Sequence, residues 1–162
     1  MNIILKNKFL YFDNYKLRCS IGKSGISYRK KEGDNKTPRG NFKFKYILYR
    51  KDRISNLRSI LKKKIIKKNM GWCDDPKSKY YNQLIKFPFK YSAEKLWLKK
   101  NVYDIIVVID YNLSPIIKNK GSAIFLHITK KYEETEGCVA INFRNMKLII
   151  SKINKKTELQ IC

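Results

Sequence analysis

The residue types able to do chemistry gather in one short stretch. The only histidine, His127, closes an apolar run and precedes Gly137-Cys138 by ten and eleven positions. A thiolate is the attacking form of cysteine, and a free cysteine is only a few per cent ionised at neutral pH, so a histidine within hydrogen-bond reach is its commonest activator. Gly137 suits such a site, because a residue without a side chain lets a substrate carbonyl approach the backbone. The amides around Cys138 are then placed to hold a developing oxyanion. Spacing alone leaves a second reading open, in which His127 and Cys138 are both core residues.

A wider window favours chemistry. Ile124-Phe-Leu-His127, a polar loop, and then Thr135-Glu-Gly-Cys138-Val resemble the signature of the L,D-transpeptidase (YkuD-like) family, in which a strand-borne His precedes a Ser/Thr-x-Gly-Cys turn. Upstream, Thr37-Pro38-Arg-Gly40-Asn-Phe42 is similar to that family's Thr-Pro-x-Gly-x-Phe element. The resemblance spans roughly Cys19 to Ile141 and takes in Tyr111-Asn112 and Gly121-Ser122, which lead into the histidine strand.

The resemblance implies a mainly β fold, either a sandwich or a mixed sheet with a few short helices, over residues 1–162. It also implies acyl transfer on peptidoglycan stem peptides through a cysteine thioester, with no metal or organic cofactor. Carried over residue by residue, Cys138 is the nucleophile and His127 its base. The carbonyl of Ile128 orients the imidazole, and the amides of Gly137 and Cys138 form the oxyanion hole. The thiolate attacks the third, diamino-acid residue of a tetrapeptide stem and expels D-alanine; an amine or water then resolves the thioester. Thr135 fills the Ser/Thr position and Asn112 is expected on the substrate side. The chain departs from the pattern with Ile128 after the histidine, a shorter histidine-to-cysteine loop, Ala140 two residues after the cysteine, and Glu136 where many members place a second histidine.

Glu133, Glu134 and Glu136 form the densest acidic patch, immediately before Cys138. Negative charge near a thiol raises its pKa, so these carboxylates are expected to point away from the sulfur or to be neutralised by Lys130 and Lys131. Glu136 is the expected receiver of the ammonium or amide end of the diamino-acid side chain, with a solvated loop as the competing reading. Gly71-Trp-Cys-Asp-Asp-Pro76 places Trp72, Asp74 and Asp75 as candidate groove residues, although Asp before Pro also caps loops. Thr37-Pro38 reads as a turn capped by Asp34.

These residues need strands to hold them. Asn2 to Leu5 and Phe9 to Phe12 flank a turn, Leu17, Cys19 and Ile21 alternate with polar residues, and so do Phe42, Phe44 and Tyr46. Tyr103 to Asp110 and Ser122 to Thr129 are near-continuous apolar runs, as in strands buried on two sides. Arg50 to Asn69 is a charged insertion whose conformation the pattern leaves open, with a helix around Ile54 to Ile66 as one reading. Ser92 is expected to cap a helix through Lys100 with Leu96 and Trp97 on its apolar face. Asn142 is expected to cap another bearing Phe143, Met146, Ile149, Ile150 and Ile153, before a last strand at Glu158 to Ile161.

Composition narrows the alternatives. Across 162 residues, 37 Lys+Arg against 13 Asp+Glu give a formal charge of +24, which suits anionic partners. Yet lysine, isoleucine and asparagine make up 66 of those residues, the types that AT-rich codons specify, and the lysines follow no single stripe. A basic nucleic-acid-binding module therefore ranks below catalysis, having no accompanying motif. Four cysteines without paired spacing and a single histidine give a structural zinc site too few ligands. No run approaches the roughly 20 apolar residues of a membrane span, and Lys6, Lys8 and Asp13 interrupt the N-terminal apolar run before a signal-peptide core forms. A cytoplasmic location is therefore expected, with a periplasmic one if export takes another route. This keeps an L,D-carboxypeptidase trimming recycled muropeptides as the second functional reading.

Overall fold

The computed structural model describes residues 1–162. Its strands are β1 (Asn2–Lys6), β2 (Phe9–Phe12), β3 (Tyr15–Arg18), β4 (Ile26–Ser27), β5 (Thr37–Pro38), β6 (Gly40–Tyr49), β7 (Lys63–Ile65), β8 (Met70–Cys73), β9 (Leu84–Lys86), β10 (Ala93–Lys95), β11 (Ile105–Ile109), β12 (Phe125–Ile128), β13 (Val139–Ile141) and β14 (Glu158–Ile161). One α-helix, α1 (Phe143–Lys152), and a 3₁₀ turn at Asn101–Tyr103 complete a mainly β chain.

The main sheet runs β13-β12-β11-β6-β14-β1-β2-β3, with β7 added to β6. It is mixed: β12 with β13, β1 with β14 and β6 with β7 are parallel, and the other pairs are antiparallel. Its two ends nearly meet. Beyond β3, Ser20 exchanges backbone hydrogen bonds with Ala140 of β13, 2.8 and 2.9 Å. Thr135 and Ile21, then Lys23 and Thr135, continue that contact. The interior is filled by alternate residues of each strand, among them Ile3, Leu5, Phe44, Ile47, Leu126 and Val139, and by Met146, Ile149 and Ile150 of α1.

A second sheet, β10-β8-β9, covers the outer face of β6, β11 and β12. This explains the unbroken apolar run of β11. Ile105, Val107 and Ile109 point into the main core, while Ile106 and Val108 meet Trp72, Leu96 and Phe125 beneath the second sheet. Period-2 geometry sends neighbours to opposite faces, and both faces are dry. Helix α1 follows the expected pattern: the Asn142 side chain accepts from Asn145 N at 2.8 Å, and Met146, Ile149 and Ile150 are buried.

The helix expected at Ser92 to Lys100 is absent, and the insertion takes the non-helical alternative. Ser92 to Lys100 contains β10, whose Glu94 pairs with Trp72 of β8. Leu96 is fully buried under the second sheet, whereas Trp97, next to it, lies under the guanidinium of Arg50 at 3.4 Å. Adjacent residues with separate partners fit an extended chain better than one helical stripe. In the Arg50 to Asn69 insertion, Ile54, Leu61 and Ile66 are buried anchors, and β7 adds to the sheet beside β6 instead of coiling. Tyr103 belongs to the 3₁₀ turn, not to the strand that follows it. No helix is long and apolar enough to cross a membrane.

Removing the Leu96 side chain leaves a cavity between the sheets. Leu96→Ala is expected to lower unfolding free energy by about 2–5 kcal/mol, whereas Ile60→Ser, at a position 78% exposed, shifts it by less than about 0.5 kcal/mol. Urea titrations followed by tryptophan fluorescence measure both.

Candidate active site

The parallel pair β12/β13 sets Leu126 opposite Val139 and His127 opposite Ala140. Leu126 and Val139 enter the main core, so His127 and Cys138 fall on the other face, toward the second sheet. Both line a cavity of about 860 Å³, whose wall also includes Tyr103, Glu94, Asp74 and Ser122.

The imidazole is oriented by backbone. Its Nδ1 lies 2.9 Å from the carbonyl oxygen of Ile128. A carbonyl only accepts, so Nδ1 carries the proton and Nε2 is the basic nitrogen. The ring of Tyr103 packs edge-on against it, 5.4 Å between centroids at 85°. Burial holds the imidazole below its ordinary pKa and outweighs the Ile128 bond, so His127 is neutral at pH 7.

The sulfur is held elsewhere. The Cys138 thiol donates to the carbonyl oxygen of Ala123 at 3.1 Å and accepts from the amide of Phe125 at 3.3 Å. No hydrogen bond joins it to His127. Burial, reinforced by the charge of Glu94, pushes the thiol up to about 12, against smaller opposing effects from the Phe125 amide and Lys30. The resting pair is thus thiol and neutral imidazole.

The turn before Cys138 is tied from both sides. Thr37, fully buried in β5, accepts from Gly22 N at 2.9 Å and donates to the carbonyl of Gly137 at 2.8 Å. Thr135 Oγ1 accepts from Gly137 N at 3.1 Å and donates to the carbonyl of Cys138. Gly137 has φ +141°, and a Cβ there would sit 2.8 Å from the Lys36 carbonyl oxygen, so this close crossing requires glycine. Of the two amides expected to face an oxyanion, that of Cys138 meets no protein acceptor, while that of Gly137 is taken by Thr135.

Other expected site residues are placed differently. Trp72 is 2% exposed; its indole packs on Phe125 at 5.1 Å and donates to Asn82 Oδ1 at 2.9 Å, so it is a core residue and not a groove wall. Asp75 caps its own turn by accepting from Lys77 N and does not reach the cavity, whereas its neighbour Asp74 does. Asn112 staples the loop 112–121, bonding Ile117 and the Gly121 carbonyl, and is likewise outside the cavity. Glu136 and Thr135 line it. Glu134 is paired with Lys8 at 3.2 Å, and neither Lys130 nor Lys131 forms the ion pairs expected of them.

Three residues contribute in roles that were not anticipated. Tyr103 carries the imidazole's packing face, and its hydroxyl donates to Glu94. Ala123, at φ +52°, offers the carbonyl that holds the thiol. Asn82 Oδ1 accepts from both Trp72 Nε1 and Ala123 N, which joins the second sheet to that carbonyl. Asp34 caps the turn before Thr37-Pro38, but Thr37-Pro38 itself is strand β5 and not the turn expected there; burial would raise the Asp34 carboxyl, but bonds from Lys30, Lys31 and Lys36 hold it below the usual range.

A thiol so raised ionises only in alkali. Iodoacetamide labelling of Cys138 is expected to be slow at neutral pH and to climb about tenfold per pH unit from about pH 8 to about pH 10. Peptide mapping by mass spectrometry distinguishes Cys138 from the other three cysteines, and a plateau below about pH 8 would contradict the neutral resting pair.

No curated protein matches the sequence. The family model for the L,D-transpeptidase catalytic domain, YkuD, matches residues 3–161, nearly the whole length. With that match and this mainly β architecture, the chain belongs to the YkuD family of L,D-transpeptidase catalytic domains.

Proposed function

We propose that this chain is a cysteine acyltransferase acting on peptidoglycan stem peptides, forming a thioester on Cys138 and releasing the terminal D-alanine. The observation that supports it most is the placement of Cys138 and His127 on one face of two paired strands, at the wall of the same cavity.

The steps follow from the resting geometry. Substrate binding displaces the thiol from the Ala123 carbonyl, and the S–H proton passes to Nε2 of His127 as sulfur attacks the peptide carbonyl carbon. The free amide of Cys138 stabilises the oxyanion. The amide of Gly137 joins it only by releasing Thr135. Collapse breaks the C–N bond, and the imidazolium returns its proton to the departing amine of D-alanine. An incoming amine or water then gives a proton to Nε2, attacks the thioester and restores the thiol. Concerted transfer to a neutral base suits a buried site in which separated charges are costly.

Purified protein incubated with a disaccharide tetrapeptide should release D-alanine. Cys138→Ala is expected to be inert, and His127→Ala to lower kcat by about 10²–10⁴. Mass spectrometry of the products identifies the acceptor: a tripeptide means water, as in an L,D-carboxypeptidase, and a crosslinked dimer means an amine. Absence of D-alanine release by the wild type would overturn the reading.

A further inference from the structure

The charge of the cavity is opposite to that of the chain. It is lined by six of the 13 acidic residues, Glu32, Asp74, Glu94, Glu133, Glu134 and Glu136, but by only three of the 37 Lys and Arg. Glu134 is paired with Lys8, and Glu32 accepts from Tyr81. Glu94, like Glu32, is met by a tyrosine hydroxyl but by no cation.

Glu94 stands on β10 in register with Trp72, so a paired strand and not a loop fixes its position. One of its oxygens accepts from the Tyr103 hydroxyl, and none of the five ion pairs of the protein includes it. A partly buried carboxylate without a counter-ion is costly. Burial pushes Glu94 up to about 7, with Glu136, Asp74 and Glu32 adding to the effect against the Tyr103 bond. Unmatched negative charge on a cavity wall is what a protonated amine would satisfy, by donating to the Glu94 oxygen that Tyr103 leaves free.

We propose that Glu94, positioned by Tyr103, determines specificity by receiving a protonated side-chain amine on the residue whose carbonyl Cys138 attacks. The inference rests on the acyl-transfer reading and extends it. It also couples binding to reactivity, since Glu94 opposes ionisation of Cys138 until a bound cation neutralises it.

The test pairs two tetrapeptide donors, identical except that the side-chain amine at the attacked residue is free in one and acetylated in the other. Wild type is expected to prefer the free amine in kcat/KM, and Glu94→Gln to lose about 30-fold or more on that donor only, the scale of a truncated buried charge pair. Tyr103→Phe should lose part of the preference. At about pH 8, Glu94→Gln should also label faster with neutral iodoacetamide at Cys138, because an opposing charge is gone. A merely structural defect would slow both donors alike, whereas loss of this contact is confined to the donor with the free amine. Wild type that uses both donors equally overturns the inference without any variant, as does Glu94→Gln with an unchanged preference. Wild type that releases D-alanine from neither donor overturns the acyl-transfer reading, and this inference with it.

Discussion

Ser20 and Ala140 exchange two backbone hydrogen bonds across the ends of the main sheet, and much else in the molecule follows from that pair. It joins the segment after β3 to β13, whose other neighbour is the histidine strand β12. Once the join is made, Thr135 pairs with Ile21 and Lys23, and the Thr135–Cys138 turn is held against Thr37 of β5. Two threonine hydroxyls then fix the turn's carbonyls: Thr37 on Gly137, and Thr135 on Cys138. A nucleophile on an exposed loop would pay the entropy of ordering at every encounter. Here the fold orders it beforehand.

The same architecture sets the electrostatics. With the interior of the main sheet already filled, a side chain one residue out of phase lands in the seam beneath the second sheet. That seam is dry enough to raise the thiol and lower the imidazole. A preformed thiolate–imidazolium pair is therefore disfavoured, and the Ala123 carbonyl holds the neutral thiol instead. The sulfur is kept unreactive until something displaces that bond. Asn82 and Trp72 connect the displacement point to the second sheet, so the layer that covers the site also fixes how the thiol rests.

Much of this was legible in the sequence, for identifiable reasons. Strands β1, β2, β6 and β11 announce themselves through alternation or unbroken apolar runs, and α1 through its Asn142 cap and helical spacing. Cys138, His127, Gly137 and the Ile128 carbonyl stand in a compact motif, and the structure gathers them in one place. The second sheet was not legible. Its strands are three or four residues long, too short for period to show, so Ser92 to Lys100 read as a helix and Glu94 had no visible role. Trp72, Asp75 and Asn112 were misplaced for a related reason. Polar and aromatic residues in loops look the same in sequence whether they line a cavity or staple the chain. Only the partners distinguish them: Asn82 for Trp72, Lys77 N for Asp75, and Ile117 and Gly121 for Asn112.

The net charge of +24 looks at first as though it must dominate an acidic cavity, but the two act over different distances. At physiological ionic strength, exposed charges farther apart than about 8 Å are largely screened from each other, and most of the lysines are exposed and dispersed. The carboxylates around Glu94 line one cavity wall, and Glu94 is buried enough there to feel its neighbours, as its raised carboxyl shows. Lys30 is the instructive exception: it is 5% exposed at the cavity wall, yet its ammonium is committed to Asp34 at 2.8 Å. It lowers the Cys138 thiol less than burial and Glu94 raise it. The lysines that give the chain its charge are thus kept from cancelling the one place where negative charge accumulates, and the local charge beside Cys138 is set by the second sheet, not by the composition of the surface.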